Sequence, residues 1–230
     1  MKNYYEAYDE RYKTVHGMGF SWSSNVPTPI VERMLKKYGK TPYGSILEIG
    51  CGEGRDAKAI LEAGYPLFAT DVSPEAVAYC QRMLPEYRDR FAVLDCVHGL
   101  HEAKYDFIYA VAVIHMLVTD ADRDAFYRFL RDHLNPGGVA LVCSMGDGKT
   151  ERKTDISEAF DLQERRHGNK TVLVASTSCR MIAFTTFEAE IARNGLQILE
   201  QGVTPCDPDF NLLMYAVVKP VDDSAKSQRR

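Results

Sequence analysis

Residues 47–56 read Leu-Glu-Ile-Gly-Cys-Gly-Glu-Gly-Arg-Asp, with three alternate glycines, Gly50, Gly52 and Gly54, between an apolar run and a helix start. Glycine permits a sharp turn and lets a ligand touch the backbone. The free N–H groups at the helix start favour a negative group. The spacing is G-x-G-x-G, not the G-x-G-x-x-G of dinucleotide sites. Glu48 before the glycines and Glu53 inside the loop would repel a pyrophosphate and suit a ligand carrying positive charge. Asp71 ends the next apolar run, about twenty residues on, where an acidic side chain can accept from both hydroxyls of a ribose. Asp95-Cys96 ends a third run, where a carboxylate can accept from an adenine amino group.

Those residues need a scaffold that ends successive strands at one edge. The pattern supplies strands at 45–50, 66–70, 91–95, 105–114 and 139–144, alternating with helices at 55–64, 74–84 and 120–134. Continuously apolar strands alternating with helices mean a parallel sheet covered on both faces. Ser73-Pro74 and Thr28-Pro29 read as helix caps. Thr185-Thr186-Phe187-Glu188 reads as a capping box, and Asn135-Pro136-Gly137-Gly138 as a turn. Runs 196–203 and 212–218 are too close for a crossover helix, so they are expected to pair antiparallel. Residues 146–184 break the alternation, with a hairpin turn expected at His167-Gly168-Asn169-Lys170; an insertion at this edge is placed to cover a ligand crevice.

The ordered set Glu48-x-Gly50-x-Gly52-x-Gly54, Asp71, Asp95, Asn135–Gly138 and the final hairpin resembles the class I S-adenosylmethionine-dependent methyltransferases, over roughly residues 44–145 and 185–219. The resemblance implies a Rossmann-like α/β fold with a seven-stranded, mostly parallel sheet of order 3-2-1-4-5-7-6, strand 7 antiparallel. It implies S-adenosyl-L-methionine as cofactor and S-adenosyl-L-homocysteine as product. Gly50, Cys51, Gly52 and Gly54 would hold the methionine part, with Glu48 supporting it, Asp71 the ribose, Asp95 with Cys96 the adenine, and Val72 the adenine face. Ala110 on the fourth strand joins this cofactor set. Tyr8-Asp9-Glu10-Arg11-Tyr12 and Trp22 resemble the N-terminal segment of small-molecule enzymes of the tellurite-resistance and thiopurine kind, which lies across the cofactor, so Tyr12 and Trp22 are candidate contacts. The domain is expected to span 1–220, with 1–40 as a helical lid, 146–184 covering the acceptor, and 221–230 a disordered tail.

The expected activity is methyl transfer to an O, N or S nucleophile of a small molecule by in-line displacement. His115, at the end of the fourth strand, is the candidate general base, although its apolar neighbours favour a packing role. Asp71 has a competing role as a cap before Ser73, and Asp95 as a solvated strand end. Tyr4, Tyr5, Tyr8 and Tyr12 form a stripe that reads as packing. Lys149–Lys153 with Glu151 reads as a solvated loop. Two other classes stay open: a non-catalytic cofactor-binding regulator, and a nicotinamide-dependent oxidoreductase, against which the glycine spacing counts.

The 230 residues carry a net charge of −4 and are 45% hydrophobic, which excludes a disordered chain and one that holds nucleic acid mainly by charge. No Asn/Asp-Pro-Pro-aromatic run follows the fourth strand, as nucleic-acid amino-methyltransferases would have it. Gly146–Thr150 falls short of a phosphate loop. The six cysteines contain no CxxC pair and read as buried thiols, with no metal expected. The longest apolar run, 107–118, is too short to span a bilayer. A cytoplasmic monomer or homodimer is expected, with a small-molecule acceptor and neither nucleic acid nor membrane as partner.

Overall fold

The apolar runs pair into one mixed sheet. Its strands are β1 (Ile46–Ile49), β2 (Leu67–Asp71), β3 (Phe91–Val93), β4 (Tyr105–Val111), β5 (Leu134–Met145), β10 (Leu196–Cys206) and β11 (Phe210–Pro220). The structure, a computed structural model, describes residues 2–22, 24–39, 44–167, 170–206, 208 and 210–221. The sheet order is β3-β2-β1-β4-β5-β11-β10. β1 to β5 run parallel, and β11 lies antiparallel between β5 and β10. With the small strands of the insertion set aside, this is the expected 3-2-1-4-5-7-6 order of a Rossmann-like methyltransferase fold.

Helices α2 (Pro29–Tyr38), α3 (Arg55–Glu62) and α4 (Pro74–Met83) cover one face, and α5 (Asp120–Asp132) and α6 (Phe184–Arg193) the other. β4 shows why the strands are apolar throughout. Phe107, Tyr109 and Val111 pack into the core with Ile30, Ile60 and Val77. Ile108 and Ala110 pack into the core with Phe126, Leu130 and Phe187. Strand side chains alternate between faces, so both sets are needed.

Several local expectations change. β4 stops at Val111, and His115 lies in a 3-10 turn, Ile114–Met116. Asn135–Gly138 falls within β5, beside a register shift between Tyr105 and Phe107. The capping box at Thr185–Glu188 does not form, because α6 begins at Phe184 with Ala183 as its N-cap. Glu151 caps instead: its Oε1 accepts from the Ala183 N–H at 3.1 Å and the Thr186 hydroxyl at 2.5 Å. A loop carboxylate thus meets the helix start from outside, where the helix dipole favours it. Thr28 precedes Pro29 as expected, but its hydroxyl donates to Asp56 Oδ2 at 2.8 Å rather than capping α2.

The 146–184 insertion forms two ribbons. β6 (Arg152–Lys153) pairs with β9 (Arg180–Met181), and β7 (Leu162–His167) with β8 (Lys170–Ala175), antiparallel. The register closes on His167 opposite Lys170; Gly168 and Asn169, the expected turn, lie outside the described residues, as do 222–230 of the expected tail. At the N-terminus a 3-10 turn, Tyr4–Glu6, leads into α1 (Ala7–Gly17). Val15 of α1 packs against Val172 and Val174 of β8. All six cysteines are free; five are buried, but Cys179 is half-exposed, contrary to expectation. No helix among the described residues is long and apolar enough to cross a membrane.

Candidate functional site

The loop from β1 to α3 runs at the carboxyl edge of the sheet. Gly50 and Gly52 have φ of 74° and 54°, the region that L side chains avoid. A Cβ on Gly50 would meet Val113 Cγ2 at 2.3 Å, and one on Gly52 would meet the Tyr12 hydroxyl at 2.8 Å. Gly54 is the N-cap of α3. The glycines therefore make a cradle whose far wall is the N-terminal helix.

Asp71 ends β2 directly beside this loop. Its Oδ2 accepts from the Gly52 N–H and its Oδ1 from the Ser73 N–H, both at 2.8 Å. Burial raises its carboxyl above the usual range, against the lowering pull of those N–H groups. These two bonds leave acceptor positions free on the side chain, since a carboxylate has about four. Asp95 is more heavily engaged. Its Oδ1 accepts from the Val97 and His98 N–H groups at 2.8 and 3.2 Å, and its Oδ2 from the Tyr5 hydroxyl at 2.9 Å. Desolvation and this bond push the Tyr5 hydroxyl above its ordinary range.

Asp71, Val72, Asp95 and Cys96 converge on a cavity of about 70 Å³, with Tyr5, Tyr8 and Tyr12 across it. Burial, with Asp95 nearby, pushes the Cys96 thiol upward, so it lines the cavity as a neutral group. Ala110 does not reach this cavity: it is wholly buried in the core on the α5 and α6 face. Ala112 takes the lining position. Its φ of 58° is unusual for a side-chain-bearing residue and turns the chain after β4 toward the glycine loop.

A larger cavity of about 620 Å³ adjoins it and shares Tyr8, Tyr12, Gly50, Ala112 and Met116 with it. Glu48, Gly52, Trp22 and His115 also line it. Glu48 is only 3% exposed, and its Oε2 has no hydrogen-bond partner among the described residues. The Tyr109 hydroxyl sits beside it without completing a bond of good geometry. Burial, with Asp56 nearby, holds this carboxyl well above the usual range. An orphaned buried acceptor at the end of a cavity is a place a ligand donor can fill.

His115 is buried, and desolvation with the Arg123 charge lowers it to about 4. Its position is set by a fully buried ion pair. Arg123 donates to both carboxylate oxygens of Glu190 at 2.7 Å. It also donates to the Ile114 and Leu117 carbonyls, holding the turn that carries His115. A neutral buried histidine makes stability fall with pH: the unfolded chain takes the proton near the ordinary 6.5, and the native chain only near 4. Wild type is therefore expected to lose about 2 kcal/mol more than His115→Gln between pH 7 and 5. Urea denaturation at the two pH values checks this, and equal losses would mean that the ring is solvated.

The N-terminal helix contributes contacts that the tyrosine stripe did not reveal. Asp9 Oδ1 accepts from the Ser73 hydroxyl at 2.7 Å and the Glu75 N–H at 3.1 Å. Burial works against ionisation of Asp9, but donation from Lys13, Ser73 and the Glu75 N–H holds its carboxyl below the usual range. His16 bridges Glu53 and Glu75 at 2.9 and 2.8 Å. Glu53 also accepts from the Ser21 hydroxyl and the Trp22 N–H, at 2.8 and 2.6 Å. Glu53 thus ties the N-terminal segment to the glycine loop. The only sequence signal was its odd place among the glycines. Among the described residues no cluster of side chains suited to a metal occurs.

Residues 47–140 match the methyltransferase-domain family. A hybrid PKS-NRPS synthetase, apdA, of Emericella nidulans is 32% identical over 139 residues, which is 56% of this chain and 3% of the synthetase. The chain therefore spans only a small fraction of that relative. Among solved structures, the CcbJ methyltransferase of Streptomyces caelestis aligns with a TM-score of 0.69 at 14% identity, covering 96% of this chain and 100% of that one. The Burkholderia thailandensis 1,6-didemethyltoxoflavin-N1-methyltransferase, solved with bound 1,6-didemethyltoxoflavin and S-adenosylhomocysteine, aligns with a TM-score of 0.61 at 17% identity over 84% and 77% of the two chains.

Proposed function

We propose that this methyltransferase domain moves a methyl group from S-adenosyl-L-methionine to an O, N or S nucleophile of a small molecule. One observation carries the reading. The glycine cradle, Asp71 and Asp95 surround a narrow cavity that opens beside Ala112 and Met116 into a wider one. A nucleoside in the first and an acceptor in the second would meet at that junction.

The chain's groups fit the cofactor. Asp71 faces the ribose with its remaining lone pairs, Val72 packs on the adenine, and Cys96 closes the adenine pocket as a neutral wall. Asp95 receives an amino group only in the space left beside Tyr5. Glu48 and the Gly50–Gly54 loop receive the methionine end, with Tyr12 and Trp22 across it. When bound, the cofactor supplies an electrophilic methyl on a sulfonium whose departure needs no acid. The protein's work is then alignment and exclusion of water. The N-terminal segment and the 146–184 insertion do both by closing the wider cavity, which suits a small acceptor and no nucleic acid. His115 lines the acceptor side. As a neutral ring of low basicity it suits positioning, or taking a proton from an already acidic acceptor. The free thiols suit a cytoplasmic setting.

The reading is tested by thermal shift with S-adenosylhomocysteine and with NAD(H). At about a hundred times its dissociation constant a ligand stabilises by about 2.7 kcal/mol. A shift with S-adenosylhomocysteine alone is expected. A shift with NAD(H) alone would overturn the reading. Methyl transfer to no acceptor, with binding intact, would favour a regulator.

A further inference from the structure

The two ends of the wider cavity carry opposite charge. Glu53 and Asp56 line the glycine-loop end, where Arg55 is already engaged with Asp56 at 3.2 Å. Arg11, Arg165 and Arg166 line the other end. Arg11 is 5% exposed. Its Nε and Nη2 donate to the Ala175 and Ser176 carbonyls and the Thr177 hydroxyl, at 2.7–3.1 Å. All these acceptors are neutral. Its guanidinium lies 5.0 Å from the centre of the Tyr8 ring and 4.9 Å from that of Trp22. No carboxylate pairs with it among the described residues, and Nη1 makes no hydrogen bond to the protein there. Arg165, also without a carboxylate partner there, is close enough to work with burial in lowering the Arg11 pKa.

A buried, unpaired positive charge is strongly unfavourable. Two aromatic faces offset part of this. A second, like charge nearby adds to the cost. An anion between Arg11 and Arg165 would remove both penalties. Resting on the methyltransferase reading above, we propose that the methyl acceptor is an aromatic carboxylate, its acid group held by Arg11 and Arg165 and its ring by Tyr8. This end of the cavity then selects the acceptor and leaves the reacting atom toward Met116 and Ala112.

The test uses the full chain saturated with S-adenosylhomocysteine. Benzoate, 4-hydroxybenzoate and 3-phenylpropanoate are each titrated against their primary amides by calorimetry. At least one acid is expected to bind tenfold or more tighter than its amide, the factor for about 1.4 kcal/mol. Arg165→Gln is expected to abolish most of that preference. Its side chain is exposed and makes no ion pair among the described residues, so folding is not at stake. Arg11→Lys keeps the charge but not the fork to β8, and is expected to keep part of the preference.

Three results would overturn the proposal: no acid binds, acids and amides bind alike, or Arg165→Gln leaves the preference intact. If Arg165→Gln instead weakens S-adenosylhomocysteine about tenfold, the cations hold the cofactor's own carboxylate, and the acceptor assignment fails. Failure of wild type to bind S-adenosylhomocysteine at all would sink the methyltransferase reading itself.

Discussion

Asp71→Ala is expected to weaken S-adenosylhomocysteine binding about a hundredfold. On the proposed reading two ribose hydroxyls lose a charged acceptor, and hydrogen bonds to charged groups contribute about 1.5–3 kcal/mol each. The same change cannot leave the fold untouched. The Gly52 and Ser73 N–H groups both donate to this carboxylate, so unfolding free energy is expected to fall by about 2 kcal/mol as well. Asp71→Asn separates the two effects. Its carbonyl oxygen still serves one of the N–H groups, so stability should drop less while affinity stays low. Calorimetric binding alongside urea denaturation reads both quantities. Affinity within about threefold of wild type for both variants, in folded protein, would remove Asp71 from the ribose.

Glu190→Gln is expected to have the largest effect on stability. Arg123 and Glu190 are both wholly buried, and they meet through two bonds of 2.7 Å. Removing one charge of such a pair typically costs about 3–5 kcal/mol, because the other is left buried and uncompensated. Arg123 also carries the Ile114 and Leu117 carbonyls, so the turn holding His115 should loosen with it. Hydrogen exchange of residues 114–118 would then rise along with the fall in denaturation midpoint. A doubly substituted Arg123→Met, Glu190→Leu chain should recover most of the global stability but not the turn. If Glu190→Gln unfolds at the wild-type midpoint, the pair is wet.

Much of this molecule could be read along the chain. Apolar runs with helical stretches between them dictate a parallel, two-faced sheet, because only that arrangement buries such strands on both sides. The short 204–211 link dictates an antiparallel end. Gly50, Gly52 and Asp71 could be placed because they follow strands directly and inherit the strands' positions. Ala110 was misplaced by a local fact: β4 continues to Val111, and alternation sends Ala110 into the α5 and α6 core. The left-handed Ala112 that replaces it carries no signature, since alanine has no preference for that conformation.

Long-range partners were illegible for a different reason. Glu151 looked solvated, yet it caps a helix that starts more than thirty residues later. Asp9, Arg11 and His16 carry no spacing signal of their own beside the tyrosines, and their partners lie on α4, β8 and the glycine loop. Local spacing determines strands, turns and the residues that end them, because those follow from backbone geometry within a few residues. Which charge meets which across the cavity depends on how distant segments fold over one another. Only the tertiary structure decides that Arg11 faces the cavity with no carboxylate paired to it among the described residues.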